Sequence, residues 1–321
     1  MNISAEKQAI LHLPDEDVRK LLKYARELHK KELPQKSVGK TDAFEQLEKL
    51  VGLTNVKTMI RQILALQKLQ MVAMERGRIL ERPTLHMEFV GAPGTAKTTV
   101  ARLLAQILTE IGVCAKGHFV EAGRVDLISD HVGGTAIKTQ ELFQKAVNGV
   151  LFIDEAYSLV EDGRSYSDEA VATIIQEMEN HREDVIVIFA GYEDQMKIFM
   201  DSNPGLRSRV SWKIKFEDYS CDELVEIAHH IAKGKGFMVD RTAESHLRSV
   251  FQNSMNDDKF GNARFVRNQV EQAIMRRAVE IENCDISQMS DEDLFTLNAR
   301  HFASEKVEQK AAVRRIGFCA P

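Results

Sequence analysis

Gly91-Ala92-Pro93-Gly94-Thr95-Ala96-Lys97-Thr98-Thr99 is a glycine-containing run closed by a lysine and two threonines. It follows a short apolar run, Met87 to Val90. It opens a pattern that predicts a helix over 99–111, with apolar residues at 100, 103, 104, 107, 108 and 111 on one face. Strand, glycine-rich turn, helix is the context in which such a string reads as a phosphate-binding loop. Backbone N–H groups of the turn and of the helix N-terminus can cradle phosphates. Lys97 has the reach for β- and γ-phosphates, and the Thr98 hydroxyl can ligate Mg²⁺.

Against the usual G-x-x-x-x-G-K-[ST] pattern, Ala96 stands where the second glycine is expected. If that position requires a left-handed backbone, its Cβ costs roughly 1 kcal/mol or more. A helical φ there accepts alanine freely.

The partner stretch is Val150-Leu151-Phe152-Ile153-Asp154-Glu155. Four apolar residues predict a buried strand of a parallel sheet, and two carboxylates follow at its end. Placed about 50 residues after a phosphate loop, the pair suits nucleotide hydrolysis. Asp154 holds the Mg²⁺ hydration shell, and Glu155 orients or deprotonates the attacking water.

Composition sets the outer bounds. The chain has 321 residues, 44% of them hydrophobic and 28% charged, which predicts a soluble globular protein with room for two domains. A formal net charge of −5 gives no global attraction to nucleic acid or anionic membranes. Cys114, Cys221, Cys284 and Cys319 lack metal-ligand spacing and read as reduced thiols, so the cytoplasm is the expected compartment. The first 20 residues are of mixed charge, with no signal-peptide core, and no apolar run is long enough to span a membrane.

Read in order, residues 1–43 are expected to be a helical segment and linker. Val18, Leu21, Leu22, Ala25 and Leu28 fall at helical spacing, either for docking a partner or for packing on the protein's own body. Residues 44–218 form the large α/β nucleotide-binding domain. The tripeptide Val51-Gly52-Leu53 interrupts a helical pattern and offers apolar surface and backbone for an adenine base. A second strand is expected at 118–121, a loop over 124–135, and a helix over 135–148 stopped by Gly149. The loop over 161–167 precedes a helix opened by Asp168 and Glu169. A buried strand at 184–191 ends at Tyr192, and the alternating Trp212–Phe216 reads as an edge strand. From Ser220 the strand–helix alternation stops. Ser220 with Glu223 makes a capping box, and residues 219–304 read as a small helical domain of successive helices. Residues 305–321 read as a tail, partly basic and mobile.

Taken together these strings resemble an AAA+ ATPase of the CbxX/CfxQ (SpoVK-like) family, which includes the red-type Rubisco activases. The matching residues are Gly91–Thr99, Asp126-Leu127, Val132-Gly133-Gly134-Thr135-Ala136, Leu151–Leu159, Ala190-Gly191-Tyr192, Ser202-Asn203-Pro204-Gly205 and Gly261–Asn268. The resemblance covers about residues 44–300 and implies an α/β fold: an AAA+ P-loop NTPase module, a parallel sheet flanked by helices, followed by a small helical lid. It also implies a homo-oligomeric ring, a hexamer, with ATP and Mg²⁺ at subunit boundaries. Arg209 is chosen as the arginine reaching a neighbour's γ-phosphate, with Arg207 as the alternative. A guanidinium fork neutralises transition-state charge better than water; a surface salt bridge is the competing account. Arg264 matches the family's second sensor, acting in cis, and Tyr192 sits where the first sensor lies. His131-Val132-Gly133 falls on the central-pore loop, where relatives carry an aromatic that grips polypeptide. A smaller, titratable imidazole there puts threading in doubt more than hydrolysis.

The expected function is ATP-driven remodelling or regulation of a client protein. The alternative is a nucleotide-dependent assembly switch or scaffold without threading. A DNA motor is disfavoured by the acidic charge and by the lack of a basic stripe with aromatics.

Overall fold

The computed structural model describes residues 43–78, 83–131, 133–160, 165–257, 260–282 and 288–303. The expected N-terminal helical segment and linker, Val132, the start of the expected loop at 161 and the expected C-terminal tail lie outside the described residues. Two compact units emerge. One runs up to Leu224 and includes the segment ending at Phe265; the other begins at Val225 and resumes at Val266.

In the first unit the elements run α1 (Ala43–Glu48), α2 (Thr54–Glu75), β1 (Met87–Gly91), α3 (Lys97–Glu110), β2 (His118–Ala122), α4 (Arg124–Leu127) and α5 (Gly134–Ala146). They continue with β3 (Gly149–Ile153), a 3₁₀ turn (Ala156–Leu159), α6 (Ser165–Asn180), β4 (Val185–Gly191), α7 (Glu193–Asp201), α8 (Pro204–Arg209) and β5 (Trp212–Phe216). The sheet order is β2-β3-β4-β1-β5, and every neighbouring pair is parallel. Strands buried on both faces need unbroken apolar runs. β3 and β4, which read Gly-Val-Leu-Phe-Ile and Val-Ile-Val-Ile-Phe-Ala-Gly, are buried at every residue. β5 is the edge, as its alternation predicted: Lys213 and Lys215 face solvent while Ile214 and Phe216 are buried.

One sheet face packs Val90, Leu151, Ile153, Val187 and Phe189 against Phe143 of α5, Ile174 and Met178 of α6, and Phe199 of α7. On α3 the apolar stripe behaves as its spacing demands: Val100, Leu103, Leu104, Ile107 and Leu108 are all buried.

Three local expectations need correcting. The 124–135 segment is not all loop, because Arg124–Leu127 forms a helical turn in which the Asp126 carboxylate accepts the Gly123 N–H at 2.9 Å. The helix after it ends at Ala146. Asn148 takes the left-handed turn (φ 63°), and Gly149 opens β3 rather than stopping the helix. The helix expected from Asp168 starts at Ser165.

The second unit is mainly helical. It takes most of α9 (Cys221–Gly234), then β6 (Met238–Val239), α10 (Arg241–Ser254), most of α11 (Asn262–Ile281), α12 (Asp291–Phe295), β7 (Thr296–Leu297) and α13 (Ala299–Phe302). The capping box on α9 forms as read: Glu223 Oε2 accepts the Ser220 N–H at 2.7 Å, and Ser220 Oγ accepts the Glu223 N–H at 3.3 Å. A two-stranded parallel pair, β6 with β7, interrupts the expected run of helices. At its end His301, 2% exposed, hydrogen-bonds Glu280 Oε2 at 2.6 Å. That bond, with Arg277 and Arg300 alongside, holds the Glu280 carboxyl below its usual range.

His86, just before β1, is 1% exposed, and its Nδ1 accepts the Val187 N–H at 3.1 Å. Burial pushes its pKa from 6.5 down to about 4. The unfolded chain therefore binds a proton between pH 6.5 and 4 that the folded chain excludes, and stability falls as pH falls through that window. The full shift is worth about 3 kcal/mol. His86→Asn keeps an acceptor for Val187 and removes the titration. Urea unfolding at pH 7 and pH 4 is expected to show a smaller acid loss for this variant, by a few kcal/mol; equal losses would contradict the assignment.

Candidate active site

The strand order places three chain reversals side by side. β4 lies between β1 and β3, with Val90 opposite Gly191 and Ile153 opposite Phe189. The phosphate-loop string, Tyr192 and the Asp154-Glu155 pair therefore leave the sheet along the same edge. This is the carboxyl-end crevice, at the point where the strand order reverses, where open α/β sheets bind ligands.

The loop wraps around its own lysine. Lys97 Nζ donates to the carbonyls of Gly91 and Ala92, both at 2.8 Å, and Thr95 Oγ1 donates to Ala92 O at 2.9 Å. Gly94 is left-handed (φ +73°), and a Cβ there would come within 2.2 Å of the Gly261 carbonyl. Ala96 is also left-handed (φ 70°, ψ 20°). Left-handed residues at 94 and 96 bend the backbone so that successive N–H groups converge, as in an anion-binding nest. The first-turn N–H groups of α3 have no acceptor within their own helix, which adds donors on the same side. These features fit a polyphosphate.

Acidic and basic groups gather on the ammonium. Burial pulls Lys97 below its ordinary value, the Asp154 carboxylate opposes that, and the Arg264 guanidinium reinforces it; Asp218 and Glu155 also act on it. Asp154 is half-buried, and its Oδ1 accepts the N–H of Glu155 at 3.0 Å. Glu155 is exposed and left-handed (φ 48°), a strained backbone of the kind that collects at functional sites. The Tyr192 ring packs tilted against Tyr157 (centroids 5.6 Å apart) and lies 6.0 Å from Lys97 Nζ. Thr98 is half-buried in the first turn of α3, and Thr99 is exposed.

Val51 and Gly52 turn the chain between α1 and α2, and a Cβ at Gly52 (φ +61°) would come 2.2 Å from Glu223 Oε1. That turn also abuts Tyr219, whose hydroxyl pKa burial pushes up to about 12. Tyr219 N–H in turn donates to Asn262, and Asn262 donates to Pro93 of the phosphate loop. The expected adenine-side tripeptide is thus joined to the phosphate loop through Tyr219 and Asn262. Nothing in the local sequence around Asn262 signalled that link, because its partners lie 43 and 169 positions away.

The residues expected at a neighbour's site and on the pore loop make their own local contacts. Arg209 Nε donates to Glu179 on α6 at 3.1 Å, with its side chain 28% exposed. Arg207 pairs with Asp201 and is 57% exposed. His131 is exposed on a turn closed by Gly134 N–H to His131 O at 3.0 Å, and the left-handed Gly133 follows.

The family model for the ATPase family associated with various cellular activities (AAA) matches residues 87–218, and that for an AAA lid domain matches residues 220–312. Protein CbbX of Cereibacter sphaeroides is 41% identical over 80% of this chain and 86% of its own length. The chromosomal protein CbxX of Cupriavidus necator is 41% identical over 86% of this chain and 88% of its own. The chain belongs to the CbxX/CfxQ family of AAA+ ATPases. A third relative of this family member, the chloroplastic ribulose bisphosphate carboxylase/oxygenase activase of Cyanidioschyzon merolae, is 40% identical over 81% of this chain and 89% of its own length. Among solved structures, the FIGL-1 AAA domain in complex with ADP has a TM-score of 0.56 over 91% of this chain and 89% of its own, at 18% identity, a likeness of fold. The family makes the protein a nucleotide-binding ATPase. No described helix is long and apolar enough to cross a membrane.

Ala96 answers the question its sequence position posed: the backbone there is left-handed, and the Cβ costs on the order of 1 kcal/mol. Ala96→Gly is therefore expected to raise the melting temperature of the nucleotide-free protein by about 2–4 °C. A lowered melting temperature would show that the Cβ is not strained.

Proposed function

We propose that the protein is a ring-forming ATPase that spends hydrolysis on remodelling a client protein. The loop closed around Lys97, which donates to the Gly91 and Ala92 carbonyls, and the Asp154-Glu155 pair leaving the same sheet edge support this reading. Lys97 turns from its loop carbonyls to the β- and γ-phosphates, and the loop N–H groups hold the remaining phosphate oxygens. Thr98, with Asp154 acting through water, would hold Mg²⁺, which supplies charge neutralisation on those phosphates. Glu155, exposed at the strand end, orients and deprotonates the attacking water. Tyr192 places its hydroxyl beside the γ-phosphate, and Arg264 reaches the same group in cis. Val51 and Gly52 face the adenine.

Arg209 belongs to the neighbouring subunit's site. Its ion pair with Glu179, whose side chain is 54% exposed, is worth at most on the order of 1 kcal/mol. It can be exchanged for a phosphate at little cost. A hexamer is the assembly this arrangement suits, and the cytoplasm its setting. The name of the Cyanidioschyzon merolae relative makes ribulose bisphosphate carboxylase/oxygenase the first client to test. A second reading, a nucleotide-dependent assembly switch, is favoured by exposed His131, an imidazole at the position where the family resemblance implies a gripping aromatic.

ATPase rate against protein concentration tests the shared site. Specific activity is expected to rise with concentration. Arg209→Ala is expected to lose most of it and to inhibit the wild type when mixed with it. Concentration-independent activity that survives Arg209→Ala would exclude a site completed in trans. Stimulation by client protein separates the remodeller from the switch.

A further inference from the structure

Asn262 is fully buried (0% exposed) and left-handed (φ 46°). Its side chain ties three segments together. Oδ1 accepts the Tyr219 N–H at 3.1 Å, while Nδ2 donates to Asp218 Oδ1 at 2.8 Å and to the Pro93 carbonyl at 3.3 Å. Next to it, Ala263 N–H donates to Gly94 O at 3.3 Å, and Arg264 N–H to Gly261 O at 2.9 Å. Both amide hydrogens are used, and the oxygen accepts. Only a primary amide combines two donors and an acceptor at this size; a carboxylate lacks the donors and an alkyl group lacks both functions. Asparagine also enters the left-handed region more readily than most residues.

The bonds join the phosphate loop, at Pro93 and Gly94, to the helical turn that carries Arg264 two residues further on. Asp218 and Arg264 both act on Lys97, so the anchor lies beside the groups that would meet phosphate. We propose that Asn262 is a positioning residue of the ATP site, locking the Arg264 turn to the phosphate loop so that the arginine meets the phosphates this loop holds. The inference rests on the role given to Arg264 above. A group held in the wrong place by about 1 Å can cost on the order of 100-fold in rate, which gives such an anchor kinetic weight.

The test is a double-mutant cycle on ATP hydrolysis with Asn262→Gly, Arg264→Ala and the double variant, reading kcat and KM separately. Glycine keeps the left-handed backbone and removes the three side-chain bonds, so it spares the fold where alanine adds strain. Asn262→Asp is the second variant: it keeps the shape but sets an oxygen against Pro93 O and the Asp218 carboxylate. Asn262→Gly is expected to lower kcat at least 10-fold in protein whose melting transition stays cooperative, and Asn262→Asp to lower it further. The double variant is expected to match Arg264→Ala within twofold, since an arginine that is gone cannot be mispositioned. With Arg264→Ala impaired, the inference is overturned by near-wild-type kcat in Asn262→Gly, or by losses that multiply in the double variant. Wild-type kinetics in Arg264→Ala would instead overturn the role of the arginine itself, and the inference with it.

Discussion

Everything at the site depends on one constraint: β1, β4 and β3 are parallel, adjacent and in register. Val90 sits opposite Gly191, and Ile153 opposite Phe189, so three chain segments far apart in sequence must leave the sheet at the same edge. Parallel strands cannot be joined by tight turns. The crossover helices that join them supply the cover for both faces, and the buried apolar runs of β3 and β4 follow from that cover. The same constraint brings carboxylates from the end of β3 to a lysine at the start of α3. A site of this kind needs no special local sequence beyond the residues that do chemistry, provided the strands hold register.

Within that frame the charges are balanced around Lys97. Burial pulls the Lys97 pKa below its ordinary value, and the Asp154 carboxylate opposes that shift only in part. Its ammonium donates to two neutral loop carbonyls. Neutral acceptors release a lysine to phosphate more cheaply than a carboxylate would. Left-handed residues recur along this edge: Gly94 and Ala96 in the loop and Glu155 after β3, with Asn262 where the last segment joins. Three of the four carry a Cβ. Such strain persists where surrounding contacts over-determine the backbone, and it clusters where geometry serves chemistry.

Much of this was legible in the sequence, for identifiable reasons. The phosphate loop, the apolar strand before Asp154-Glu155 and the edge alternation of Trp212–Phe216 are local patterns, and the strands formed where those patterns lie. The capping box of Ser220 with Glu223 needs a spacing of three and nothing distant. What escaped was either too short or too long in range. β6 and β7 have two residues each, too few for a period of two to register. The turn at Arg124–Leu127 is a single helical turn inside a polar segment. Asn262 lies within the Gly261–Asn268 string, but its bonds to Pro93 and Tyr219 are set by tertiary structure. Ala96 was legible as a question, since the missing glycine marked the position, and only the backbone dihedral could answer it. The pairing of Arg209 with Glu179 spans 30 residues and involves charges that sequence cannot match.

The proposed mechanism gives Lys97 the phosphates and Glu155 their hydrolysis. The most direct measurement is radiolabelled ATP binding alongside single-turnover hydrolysis for the wild type, Lys97→Ala and Glu155→Gln. Lys97→Ala is expected to lose binding, whereas Glu155→Gln is expected to retain ATP but turn it over at least 100-fold more slowly. Hydrolysis by Glu155→Gln at the wild-type rate, with ATP bound normally, would contradict it.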